Sequence, residues 1–220
     1  MFPTVVVMIT VSALVAHPLT DAPVEDWRAQ PVGTMDVPVG WSELPLLQRA
    51  LLRRGTLEIV EDEGQRALRL KTQTDQHTII RKQIRVDLNA TPVLEWRWKV
   101  FVFPTGADLR DRSRSDSPAV IALSWTAPPR NVSYAWDVSA PAESRFLNPK
   151  QSRVHYIVVR SGDRPRAQWL TERRDVVRDY GSVFGESPSG GPAEIELSVD
   201  SNDTRSVAET LIGQITFVAR

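Results

Sequence analysis

Between Leu94 and Phe103 the chain alternates with a period of two. Leu94, Trp96, Trp98, Val100 and Val102 fall on one side; Glu95, Arg97 and Lys99 fall on the other. Successive side chains of a strand point to opposite faces, so this segment reads as a β-strand with one buried and one wet face. Two tryptophans on one face mean either a thick aromatic core or a platform for stacking a ligand. Their aliphatic companions Leu94 and Val100 favour core packing for Trp96 and Trp98.

The same period recurs downstream. Strands are expected near 57–61, 67–71, 78–85, 93–103, 119–125, 133–138, 154–160, 193–200 and 211–218. Turn chemistry separates them, as at Asp62-Glu63-Gly64, Pro128-Pro129 and Ser161-Gly162-Asp163. Many short strands with Gly/Pro turns indicate a sandwich, jelly roll or barrel. Two stretches break the pattern. Leu44–Arg54 reads as a short amphipathic helix or the start of a strand. Trp169–Phe184 reads as a helix, because Val176, Tyr180, Val183 and Phe184 make one apolar stripe. Gly185 would stop it, and Thr171 or Asp175 would cap its start.

Composition narrows the function. Lys+Arg and Asp+Glu both total 27, so the formal net charge is zero, which gives no basic excess for a nucleic acid. There is no cysteine, which removes disulfides, thiolate metal sites and thiol nucleophiles. Val5–Ala16 is apolar and uncharged but shorter than the roughly 20 residues that span a bilayer. Residues 1–22 therefore read as a signal peptide, 23–40 as a flexible, proline-containing lead-in, and 41–220 as a single β-sandwich domain. The expected location is periplasmic or secreted, with no membrane span left once the signal is removed.

Four stretches resemble a known family. They are Leu94–Val100; Val158–Gly162 leading to Trp169; Glu172–Val176 with Asp179-Tyr180 and Phe184-Gly185; and Asp200–Thr204 followed by Ala208 and Gly213–Phe217. Over roughly 41–217 the chain is similar to the bacterial exported domain of unknown function 3047 family. The resemblance implies an exported, jelly-roll-like antiparallel β-sandwich with one packed helix, similar in general build to carbohydrate-binding modules. Fold analogy of this kind says little about activity.

Candidate ligand-binding residues follow from chemistry. Sugar rings stack on flat aromatics, and charged or amide side chains take the hydroxyls. Tyr134, Trp136 and Trp169 are the stacking candidates; Arg81, Asp116, Arg160 and Glu172 are the polar ones. The acids of the 108–116 loop are interleaved with arginines and read as a mobile surface loop, with Asp116 the best placed. Glu172, Arg174, Asp175 and Asp179 read as an Arg–carboxylate network tying helix to sheet, or as a polar cradle with Arg160 and Trp169. Asp200 and Asp203 sit in a turn between the last strands; a hydrogen-bonded turn is expected, with a calcium site as the alternative. No other cofactor is implied, since His17, His77 and His155 are isolated and no zinc spacing exists.

Three functions fit these residues. The first is a non-catalytic binding module for a carbohydrate or glycan. The second is a polysaccharide hydrolase using two carboxylates from among Glu95, Asp116, Asp137, Glu172 and Asp175. The third is a structural or protein-interaction domain of the cell envelope. Exposed tryptophans on a concave face would mark the first, close carboxylates the second, and a flat apolar patch the third.

Overall fold

Strand formation follows the two-residue alternation throughout the computed structural model, which describes residues 21–43 and 53–220. Two sheets result. The first runs β11 (Leu170–Asp175), β6 (Val93–Val102), β13 (Val207–Val218), β4 (Gln65–Gln73) and β3 (Thr56–Asp62). On the same sheet β1 (Ala22–Glu25) pairs with the end of β13 that β4 leaves uncovered. The second runs β2 (Ser42–Glu43), β5 (His77–Gln83), β12 (Glu194–Asp200), β7 (Ala119–Thr126), β8 (Pro129–Asp137), β10 (Gln151–Ser161) and β9 (Arg145–Asn148). Paired strands are antiparallel except β8 and β10. The β-sandwich expected from the sequence is the architecture observed.

The inward faces of the two sheets meet in an aromatic slab. From β6 come Leu94, Trp96, Trp98 and Val100; from β8 come Val132, Tyr134 and Trp136; all are buried. Trp96 packs on Tyr134 with centroids 5.5 Å apart, and Trp98 on Trp136 at 5.7 Å. Phe103 meets the edge of Trp136 at 5.4 Å. The remaining space is filled by Ile195, Leu197 and Val199 of β12 and by Ile212, Ile215 and Phe217 of β13.

One helix occurs among the described residues, α1 (Val176–Phe184). It starts seven residues later than the sequence suggests. Leu170–Asp175 instead form an edge strand on β6, from Leu170 opposite Trp98 to Asp175 opposite Val93. Backbone pairing to an open sheet edge outweighs the helical tendency there. Asp175 caps α1 through a bond accepted from the Arg178 N–H, and Gly185 ends it at φ +75°, the left-handed conformation that glycine adopts freely. Val176 and Tyr180 of the expected stripe are buried, and Val183 and Phe184 pack on the core at its margin.

Within the described residues, the stretch expected as a lead-in packs against the sandwich. Val24, Trp27 and Trp41 are buried, and the two indoles stack at 5.6 Å. Trp27 donates to the Gly213 carbonyl, while Glu25 receives the Trp27 N–H, the Trp41 indole N–H and the Lys82 ammonium. Prolines in this stretch punctuate turns, and the apolar area of two tryptophans outweighs the chain entropy of fixing it. The signal stretch over residues 1–20 and most of Leu44–Arg54 lie outside the described residues. The one described helix is not long and apolar enough to cross a membrane.

Candidate functional site

A groove enclosing about 320 Å³ lies on the outward face of the second sheet. Its origin is local. β12 buries Ile195, Leu197 and Val199, so Glu194, Glu196, Ser198 and Asp200 point outward. β5 buries Thr78 and Ile80, leaving His77, Ile79 and Arg81 outward. β7 and β8 present small or short residues, Val120, Ala122, Ser124, Asn131 and Ser133. Beyond them rise Val154 and Tyr156 of β10, with Asn148, Gln151 and Arg153. Tall side chains on the outer strands and short ones on the middle pair make a trough.

Strand register assembles one continuous row. Arg81 lies opposite Glu196, Glu196 opposite Ala122, Ala122 opposite Ser133, and Ser133 beside Tyr156. At about 4.8 Å between strands, the row spans on the order of 19 Å. Arg81 sits between two carboxyls, 3.1 Å from Glu196 and 3.7 Å from Glu194. Its Nε is buried without an acceptor. Glu194 also receives the Gln83 amide at 2.7 Å. On the floor, Asn131 donates to Ser124 and accepts from Ser133. On the far side, Asn148 donates to the Tyr156 hydroxyl at 3.0 Å.

Burial sets the charges of this wall. It pushes the Glu196 carboxyl up to about 7; Arg81 opposes the shift and Glu194 adds to it. Burial likewise drives Asp200 well above the usual carboxylate range, helped by the nearby charges of Asp116 and Asp203. His77, 3.4 Å from Asp200, is pushed down to about 4, mainly by burial, and is neutral near pH 7. Burial also raises the Tyr156 hydroxyl, which stays protonated.

Of the residues expected to bind a ligand, the structure brings Arg81 into this groove. Asp116 lies buried beyond its end, where its carboxylate accepts from the Asp203 and Thr204 N–H groups and from the Thr204 hydroxyl. Tyr134 and Trp136 are fully buried between the sheets, so their ring faces are covered by protein. Arg160 and Glu172 form a bidentate pair at 2.6 and 3.1 Å, and Glu172 also accepts the Trp98 indole N–H at 3.0 Å. Trp169 lies on the other sheet's outer face, donating to Asp62 at 2.7 Å with the Arg97 guanidinium 5.2 Å from its ring centroid. The groove's own large aromatics, Trp125 and Tyr156, are only 6% and 9% exposed. The groove therefore presents hydrogen-bonding groups, and these two rings offer little open face for stacking.

Glu194, Glu196 and Asn148 were not singled out from the sequence, and His77 and Tyr156 were not among the ligand-binding residues chosen from it. The alternation of 194–200 was visible, but an outward acid on a strand reads simply as a wetted residue. The 108–116 loop, read as mobile, is anchored: Leu109, Ser115 and Asp116 are buried, and Asp137 accepts the Leu109 N–H at 2.7 Å.

The turn holding Asp200 and Asp203 does not suit calcium. Hard cations need several free carboxylate or carbonyl oxygens. Here Asp200 accepts the Asn202 N–H, Asp203 pairs with Lys150, and the Asp116 oxygens are filled by N–H and O–H donors. Among the described residues no group of three or more His, Cys, Asp or Glu side chains is placed to hold a metal ion.

Comparison with known proteins returns one family, described as "Protein of unknown function (DUF3047)", matched by residues 40–216. No curated protein matches the chain. Among solved structures, the chain is similar to the family 11 carbohydrate-binding module from Clostridium thermocellum in complex with a β-1,3-1,4-mixed-linked tetrasaccharide. Identity is 10%, the TM-score is 0.43, and the alignment covers 90% of this chain and 95% of that one. It is also similar to the xyloglucanase domain of NopAA, a type three effector from Sinorhizobium fredii, at 7% identity and TM-score 0.47, covering 86% and 98%.

Proposed function

The chain belongs to the DUF3047 family, and from that premise we propose that its second sheet carries a non-catalytic binding site for an uncharged, polyhydroxylated ligand, a glycan above all. The observation that carries this reading is the trough itself, a rigid sheet face lined by both donors and acceptors. Arg81, Arg130 and Arg153 stand against Glu194, Glu196 and Asp200, with Asn131, Asn148, Ser124, Ser133 and Tyr156 between. Such a lining offers no single-sign field for a polyanion or polycation and many partners for hydroxyls. Clefts with a few convergent polar groups on a rigid scaffold are the default location of a ligand site.

A hydrolytic role has less support. Of the carboxylates available for it, Asp116 and Asp137 are used up by backbone N–H groups, Glu172 by Arg160, and Asp175 by the helix cap. In the groove, Glu194 and Glu196 share one guanidinium. We place the module in the periplasm or outside the cell, on the strength of the apolar Val5–Ala16 stretch.

The test is isothermal titration of the protein against soluble β-glucan, xyloglucan and galactomannan, with polygalacturonate as the charged comparison. Saturable binding to an uncharged glycan that Arg81→Ala weakens at least about tenfold, a loss of about 1.4 kcal/mol, supports the site. Binding that Arg81→Ala leaves unchanged, or none to any glycan, removes it.

A further inference from the structure

One wall of the groove is built around a conflict. A single guanidinium, Arg81, faces two carboxyls of the neighbouring strand, and its Nε has no acceptor at all. Glu194 has a second partner in Gln83, whereas the hydrogen bond given to the Glu196 carboxyl comes from Arg81. Resting on the glycan reading of the groove, the geometry points to proton-linked binding: Glu196 takes up a proton from solvent as an uncharged ligand covers it, and Arg81 turns from Glu196 to the ligand.

The surroundings of Glu196 make it the group that changes charge. On the β5 side it meets Arg81, with uncharged Ile79 and Gln83 at the adjoining positions. On the β7 side it meets Ala122, with Val120 and Ser124 at the adjoining positions, none of them titratable. Along its own strand stand Glu194 and Asp200, and Arg130 and Arg153 line the groove with it. A carboxyl already raised to about 7 by burial is raised further when a neutral ligand removes the remaining water. Ionised, it resists that desolvation and holds Arg81. Protonated, it donates to a hydroxyl oxygen and leaves Arg81 with Glu194 alone.

The sign follows. A group whose pKa rises on binding takes up a proton, so affinity falls as pH rises through about 7. His77 is neutral on both sides of that range, and Tyr156 stays protonated, so neither reverses the trend. Asp200, also shifted upward, lies four residues along the strand, roughly 13 Å away.

Two measurements on the full chain test this. In carbon-13 NMR of labelled glutamate carboxyls, the Glu196 signal, assigned by its loss in Glu196→Gln, titrates with a midpoint near 7, and Asp200→Asn leaves that step in place. A midpoint near the ordinary 4.5 overturns the proposal. Calorimetry with β-glucan and xyloglucan oligosaccharides, in two buffers of different ionisation heat, shows affinity falling about tenfold from pH 6 to pH 8 with net proton uptake, and a flat profile for Glu196→Gln. Oligosaccharide binding with equal affinity at both pH values overturns proton linkage and leaves the glycan site standing. No binding at either pH removes both readings, whatever the NMR midpoint.

Discussion

Arg160 of β10 and Glu172 of β11 join the two sheets through a bidentate ion pair whose carboxylate also takes the Trp98 indole N–H. The carboxylate is buried and the guanidinium partly exposed, so water does not replace the bond when one partner is lost. Removing one member of a buried pair leaves the other charge uncompensated, which costs about 3–5 kcal/mol. Arg160→Met is therefore expected to lower unfolding free energy by about that amount, reduced toward about 2 kcal/mol because the guanidinium is wetted. Arg160→Met/Glu172→Gln should recover part of the loss, because the glutamine carbonyl can still accept the Trp98 indole N–H without leaving a buried charge. Urea denaturation of the three proteins checks both; a single-variant cost under about 0.5 kcal/mol would show that the pair does not tie the sheets.

Trp136 belongs to the core and not to a binding surface. Trp136→Ala should destabilise by about 3–5 kcal/mol, with no ligand needed to see it. The companion measurement is acrylamide quenching. Tryptophan emission should be largely protected, because Trp27, Trp96, Trp98 and Trp136 have no exposed area. A freely quenched spectrum would contradict this packing.

The segment before β2 is structural. Trp27→Ala removes the stack on Trp41 and the bond to Gly213, and a loss of about 3–5 kcal/mol is expected. Limited proteolysis should leave 21–43 uncut in the native protein; rapid cleavage there would restore the idea of a flexible lead-in.

Glu196 also makes stability depend on pH in a defined direction. Its folded value, about 7, lies above the ordinary 4.5, so the fold prefers the protonated form. That preference costs nothing below about 4.5 and destabilises progressively as pH rises to about 7. Glu196→Gln, which cannot ionise, should be more stable than wild type by about 1–3 kcal/mol above neutrality, with the gap closing toward pH 4.5. Thermal or urea unfolding at three pH values decides; an equal gap at all pH values would mean that ionisation is not its cause.

Gly213 lies under the indole of Trp169. A methyl group there would come within 3.1 Å of the ring and 3.2 Å of the Arg97 Cβ. Gly213→Ala should destabilise by about 1–3 kcal/mol through overpacking. The expected partner effect is a change in Trp169 fluorescence; an unperturbed spectrum and stability would show that the contact yields freely.

The strands and their buried faces were legible because period-two alternation is local. The pattern at 94–100 put Trp96 and Trp98 inward, and the stripe at 176–184 marked the packed face of α1. Asp175 as a helix cap was legible for the same reason. The failures were non-local. Leu170–Asp175 became a strand because β6 offered an open edge, and Trp27 turned inward because Gly213 offered a carbonyl and Trp41 a ring.

Sequence alone determined the class of fold, the inward sides of β6 and β12 and the lack of thiol chemistry, since these depend on residue type and spacing within a few positions. The groove was decided only by tertiary structure. Arg81 and Glu196 are 115 positions apart and meet because β12 lies between β5 and β7. Which outward acid is half-buried, and so titrates near neutrality, depends on the height of side chains on neighbouring strands, and strand order is not written in any local pattern.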